Sequence, residues 1–170
     1  GIQDWKRKVW KVFKENWANP AYGGGEELPG CWFSCRMADV DFFLVDGRMY
    51  RDPKGGTMLG PEQKQWLLDG LKRSTATFKV LCVDVPMTPG VKPGSRDTWD
   101  GFNKEREEIF QCIAKHRIEG VFIVAADRHR SDAYRMERPG AYPLYEFQSS
   151  KLTNVHTHKI IPKCLFGYNE

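Results

Sequence analysis

Residues able to do ionic chemistry crowd the end of one apolar run, Gly120-Val-Phe-Ile-Val-Ala-Ala-Asp-Arg-His-Arg-Ser-Asp132. Val121, Phe122, Ile123 and Val124 are β-branched or aromatic without interruption, the pattern of a strand covered on both faces of an α/β sheet. Asp127 and His129 follow at i and i+2. In an extended chain, side chains two residues apart project to the same side, so a carboxylate and an imidazole would converge there on one metal ion or one phosphate. The competing reading of an Asp-x-His pair after a strand is a solvated polar loop.

Two further strand patterns end in polar bursts. Phe42-Phe-Leu-Val45 runs into Asp46-Gly-Arg-Met-Tyr-Arg-Asp-Pro53, beyond the carboxyl end of a strand, where open α/β sheets gather their ligands. A structural salt-bridge network among Asp46, Arg48, Arg51 and Asp52 is the alternative. Phe78-Lys-Val-Leu-Cys-Val-Asp-Val85 is followed by the Pro/Gly-rich segment 86–96, longer than a simple connector and so a candidate functional loop. Asp97-Thr-Trp-Asp-Gly-Phe102 comes next, where Asp100 either caps the following helix or reaches a metal.

The elements that must hold these groups are legible from periodicity. Trp5, Val9, Val12, Phe13 and Trp17 form an amphipathic helical stripe over residues 4–17, with Lys6, Lys8, Lys11 and Lys14 mostly on its other faces; Asn19-Pro20 ends it. Residues 31–36 and 39–45 read as a hairpin. Gly60-Pro61 opens a second helix that brings Trp66, Leu67 and Leu71 to the core and closes on Lys72-Arg73. A third helix spans about 102–116, with His116 at its solvated end. Residues 133–140 read as irregular and 142–147 as a short strand. His156 and His158 also stand at i and i+2, but no apolar strand runs into them and Lys159 follows, which favours a surface or supporting role.

A chain of 170 residues, 41% apolar and 13% aromatic, is long enough for one folded domain. Its net charge of +4 is interspersed, which suits an anionic small substrate and gives no nucleic-acid signature. The five cysteines lack zinc-site spacing. No apolar run approaches a membrane-spanning length, and residues 1–8 lack the layout of a secretory signal.

Taken in series, Phe42–Pro53, Met58-Leu-Gly-Pro-Glu-Gln-Lys-Gln-Trp-Leu68, Asp97–Phe102 and Val124-Ala-Ala-Asp-Arg-His-Arg-Ser131 resemble the PhoD-like alkaline phosphatase and phosphodiesterase family of calcineurin-like metallophosphoesterases. The resemblance implies an α/β fold, part of a four-layer αββα sandwich with mixed β-sheets and a metal centre at the strand ends. It also implies metal-dependent hydrolysis of phosphate mono- or diesters and a periplasmic or secreted location. The early Gly-Asp and Asp-Asp-His-Asp motifs of the family are absent here, and residues 10–22 resemble the segment that follows them. Residues 1–170 are therefore expected to be the C-terminal half of such a domain, completed by a missing N-terminal half or a second chain and inactive alone. The alternative is an inert structural half that docks a partner through a large apolar face.

Carried over residue by residue, the resemblance makes Asp127 and His129 catalytic metal-site residues, with Ala126 in place of the usual glycine. At least one of Asp97 and Asp100 should approach the metals. Arg128 and Arg130 become phosphate clamps, since a guanidinium grips two phosphate oxygens at once. A mixed carboxylate and imidazole site suits Ca2+ with Fe3+, the family pairing, with zinc or manganese as alternatives.

Overall fold

A computed structural model of the chain describes residues 2–149 and 164–168. The first helix, α1 (Asp4–Asn16), buries Trp10, whose indole N–H donates to the Gly30 carbonyl at 2.8 Å. A two-stranded ribbon, β1 (Gly23–Gly24) with β2 (Leu28–Pro29), precedes the hairpin of β3 (Phe33–Met37) and β4 (Val40–Leu44). Then come α2 (Pro61–Arg73), β5 (Phe78–Cys82), a short 3-10 turn at Trp99–Gly101, α3 (Asn103–Lys115) and β6 (Val121–Ala125). Strands β7 (Ser131–Met136), β8 (Leu144–Ser149) and β9 (Cys164–Tyr168) complete a mixed seven-stranded sheet in the order β3-β4-β5-β6-β8-β7-β9. Among the described residues, no helix is long and apolar enough to cross a membrane.

Strands β4, β5, β6 and β8 are mutually parallel, so their carboxyl ends lie on one edge. Phe43, Leu81 and Ile123 are laterally paired and therefore share a face. With Leu67 and Leu71 of α2 and Ile109, Phe110 and Ile113 of α3 they form the buried core. The opposite face carries Phe42, Leu44, Val80, Cys82, Phe122, Val124 and Phe147, again in register. Both faces are apolar, as the continuous runs require, but among the described residues only the first packs against α2 and α3. Val124 and Phe147 remain 38% and 47% exposed, and Phe78, Phe122 and Phe147 stand in an edge-to-face row.

One stretch expected to be irregular is a strand. Residues 133–136 belong to β7, which turns Asp132, Tyr134 and Met136 inward. An inward aspartate conceals the alternation from a hydropathy reading; it is compatible with burial because Arg130 Nε sits 2.6 Å from its carboxylate, with both side chains 1% exposed. Residues 142–143 precede β8, and His156 and His158 lie outside the described residues. The second sheet implied by a four-layer sandwich is not present among the described residues, whose only other sheet is the β1–β2 ribbon.

Candidate active site

Three adjacent parallel strands each deliver an aspartate just past their ends: Asp46 after β4, Asp84 after β5 and Asp127 after β6. Their local roles differ. Asp46 is occupied by backbone, accepting from the amides of Arg48 and Met49 on Oδ1 and of Cys31 on Oδ2, each at 2.9 Å. Burial, with the Asp46 carboxylate beside it, pushes the Cys31 thiol up to about 12. The salt-bridge network expected among Asp46, Arg48, Arg51 and Asp52 does not form. Arg48 and Arg51 reach across to Asp97 Oδ1 at 2.8 and 2.6 Å, while Asp52 accepts from the Lys54 amide. The reason is that the Asp46 oxygens are already taken, Oδ1 by the turn that follows β4 and Oδ2 by the Cys31 amide.

Asp127 and His129 sit on a bent chain. Their φ angles are 75° and 54°, and the Arg128 amide bonds back to the Ala126 carbonyl at 3.0 Å. The extended backbone assumed for their convergence is therefore corrected, since left-handed residues alternate with Arg128. Such conformations cost of order 1–3 kcal/mol each and gather at functional sites. Asp127 and His129 are half-buried, whereas Arg128 is buried. Arg128 Nε has no hydrogen-bond partner among the described residues. Arg130, by contrast, is committed to Asp132 through both carboxylate oxygens, at 2.7 and 2.6 Å. With 1% of its side chain exposed, it offers no accessible face to a phosphate in this conformation.

Asp97 and Asp100 diverge. The two arginines, Arg51 foremost, hold the Asp97 carboxyl below the usual carboxylate range. That contribution to stability is present above the ordinary carboxylate range and is lost as pH falls through the lowered folded value. Asp100 accepts from the amides of Gly90 and Lys92, both at 2.9 Å, and from Arg106 at 3.2 Å. It neither caps α3, whose N-cap Phe102 has no side-chain bond, nor presents an unoccupied oxygen; it clasps the 86–96 loop. Glu146 anchors the same loop at its start. This carboxylate is 0% exposed on β8 and accepts from the amides of Met87 and Thr88 at 2.7 and 3.0 Å.

Burial raises the Glu146 pKa. An acid with a raised folded pKa destabilises the fold as pH climbs from its unfolded value, near 4.3, through the folded one, because the unfolded chain releases its proton first. Glu146→Gln keeps an oxygen acceptor for both amides and removes the titration. Its urea midpoint should therefore fall less than that of the wild type between pH 5 and 8. A parallel fall in both proteins would show that Glu146 does not titrate in that range.

Sequence reasoning missed Asp84. Its oxygens have no hydrogen bond, Arg48 Nε lies 3.5 Å from Oδ2, and burial raises its pKa. The available signal was the repetition itself, an aspartate after each of three parallel strands. Gly47 is needed beside it, since a Cβ there would stand 2.5 Å from Asp84 Oδ1.

A family profile described as PhoD-like phosphatase matches residues 17–160. The chain belongs to the PhoD-like phosphatase family. It is similar to alkaline phosphatase D of Bacillus subtilis (strain 168), with 30% identity over 114 residues, covering 54% of this chain and 20% of that protein. A solved structure titled "Structure of PhoD" superposes with a TM-score of 0.72 at 21% identity, over 85% of this chain and 33% of that one, and so shares the fold. GAP50, described as the anchor in the inner membrane complex of Plasmodium, reaches a TM-score of 0.49 at 12% identity, over 84% of this chain and 45% of that one. This chain thus spans about a fifth of the length of the curated phosphatase and a third of the PhoD structure.

Membership of a phosphatase family implies metal dependence. Asp127 and His129 supply an oxygen and a nitrogen donor at one sheet edge. Among the described residues, however, no group of three or more His, Cys, Asp or Glu side chains could hold an ion.

Proposed function

We propose that this chain forms the C-terminal part of a metal-dependent phosphoesterase that hydrolyses phosphate mono- or diesters, its site completed by a polypeptide segment outside residues 1–170. The observation that carries the reading is the parallel-sheet edge, where Asp127 and His129 lie in strained backbone beside Asp84 and the Arg48–Asp97–Arg51 cluster. Asp127 and His129 would hold the ions, Ca2+ with Fe3+ fitting their hard oxygen and imidazole donors and zinc or manganese as alternatives. Asp97 belongs to the same edge, where it is paired with Arg48 and Arg51. Metal ions at such a site neutralise phosphate charge and acidify water.

The chain's own contribution is positional. Arg48 and Arg51, fixed by Asp97, place two guanidiniums at the strand ends. Arg128 remains the candidate phosphate clamp, being a buried cation next to Asp127 with an unsatisfied Nε. Glu146 and Asp100 fix the backbone of the 86–96 loop. A periplasmic or secreted setting rests on the family likeness. The assembled enzyme should release product from 4-nitrophenyl phosphate or its bis-ester; no release from either, with Ca2+ and Fe3+ supplied, would refute the activity.

A second reading, that this chain alone is an inert docking half, is favoured by the uncovered sheet face. Phe78, Phe147 and Val124 there are 49%, 47% and 38% exposed, a contiguous apolar patch of the kind that marks an interaction surface. Isolated chain should accordingly bind an apolar dye strongly, with Phe147→Glu lowering the signal. A dye-silent, monodisperse monomer would contradict a docking face.

A further inference from the structure

The mechanism leaves unused a cavity of about 350 Å³ between α1 and the ends of β4 and β5. Its apolar walls are Trp5, Val9 and Phe13 of α1 with Val45 and Met49, and its charged lining is Lys6, Arg48, Asp46 and Asp84. That size lies within the usual range for ligand pockets, roughly 300–1,000 Å³, and the make-up is the usual one of apolar walls with a few convergent polar groups. Lys6 stands at its rim. The Lys6 ammonium donates to the carbonyls of Arg48 and Met49 at 3.1 and 2.6 Å and has no carboxylate partner among the described residues. A cation held by carbonyl dipoles retains its full charge for an anion.

Trp5 and Val9, each 59% exposed, are ill suited to bare solvent on a helix whose other faces carry Lys8 and Lys11. The polar end is the same strand edge that holds the proposed site, two strands from Asp127 in the order β4-β5-β6.

We propose that this cavity is the subsite for the organic group of the phosphate ester, an aryl or alkyl group seated against Trp5, Val9 and Phe13 with its phosphate end toward Lys6 and Arg48. This rests on the phosphoesterase reading, and it assigns a substrate class: esters with an apolar organic group over those with a small or strongly polar one. Asp84, the carboxyl at the inner end, faces Arg48 and, more distantly, Asp46 and Arg51. An apolar pocket contact discriminates about 10–200-fold, which sets the size of the expected preference.

The experiment has two arms. In the first, tryptophan fluorescence of the chain is titrated with phenylphosphonate, methylphosphonate and inorganic phosphate. Saturable quenching by phenylphosphonate, at least about tenfold tighter than by methylphosphonate, is expected. Val9→Glu, at an exposed position that leaves the thermal midpoint unchanged, should abolish it, and Lys6→Met should weaken it severalfold. In the second arm, the assembled enzyme is compared on phenyl and methyl phosphate. The wild type should favour phenyl in kcat/KM, and Val9→Glu should erase that preference. Turnover without phenylphosphonate binding, or a preference unmoved by Val9→Glu, overturns the subsite while the phosphoesterase reading stands. Binding without turnover of any ester leaves the cavity a site for an apolar phosphonate and removes the activity instead.

Discussion

Asp127→Ala should lower phosphate release by the assembled enzyme by on the order of 10³-fold, since a site that loses several kcal/mol of charge stabilisation slows tenfold for each 1.4 kcal/mol. The effect should be confined to chemistry. Asp127 is half-buried in a loop with φ of 75°, so removing its carboxylate breaks no strand pairing and no buried ion pair. Alanine tolerates the left-handed region less well than aspartate, which adds a stability cost of about 1 kcal/mol. Asp127→Asn and Asp127→Gly separate the two effects. Both accept the backbone and lack the charge, so both should fold like wild type and remain inactive. Undiminished turnover in either would remove Asp127 from the site.

The largest stability effect is expected elsewhere. Asp132→Ala should destabilise the fold by roughly 3–5 kcal/mol, read as a lowered urea midpoint, because it takes one partner from a fully buried ion pair. Asp132 accepts from Arg130 Nε at 2.6 Å and from the Tyr134 hydroxyl at 2.9 Å, on a strand that joins β8 to β9. Burial, then the neighbouring Asp132, raises the Tyr134 pKa, so the phenol stays a donor throughout the physiological range. Replacing both members, Arg130→Met with Asp132→Leu, should recover much of the loss, since apolar pairs of similar volume often substitute well for buried ions. A single substitution costing less than about 1 kcal/mol would show the pair to be solvent-screened after all.

These two substitutions also mark where the sequence was readable. The parallel strands were visible because Phe42–Val45, Val80–Val83 and Val121–Val124 are continuous apolar runs, and the helices because their stripes repeat at helical spacing. The Gly60-Pro61 start and the Lys72-Arg73 end of α2 fell where turn chemistry and the helix dipole place them. Strand β7 was hidden because its inward positions are Asp132, Tyr134 and Met136, and no hydropathy rule anticipates a buried aspartate whose partner lies two residues earlier.

The strand-end placement of the candidate residues was legible, their contacts less so. Asp127, His129 and the arginine-rich loop after β4 do gather at one sheet edge. Which carboxylate each arginine meets depends on long-range geometry: Arg48 and Asp97 are 49 residues apart in sequence, and Asp100 spends its oxygens on the backbone of its own loop. Spacing alone could not have said that Asp97 and Asp100 would point apart. Nor could it show that the second apolar face of the central strands would remain uncovered among the described residues.

The proposed function accounts for that uncovered face and the divided donor set together, through further polypeptide that would bring both a second packing layer and the remaining ligands. The most direct measurement is metal content together with phosphate release from bis(4-nitrophenyl) phosphate, for this chain alone and co-purified with a polypeptide supplying the early motifs of the family. The account predicts neither retained calcium and iron nor turnover for the chain alone, and both for the assembly. Full turnover by the 170-residue chain without its complement would contradict it, as would an active assembly that keeps its rate after the metals are stripped.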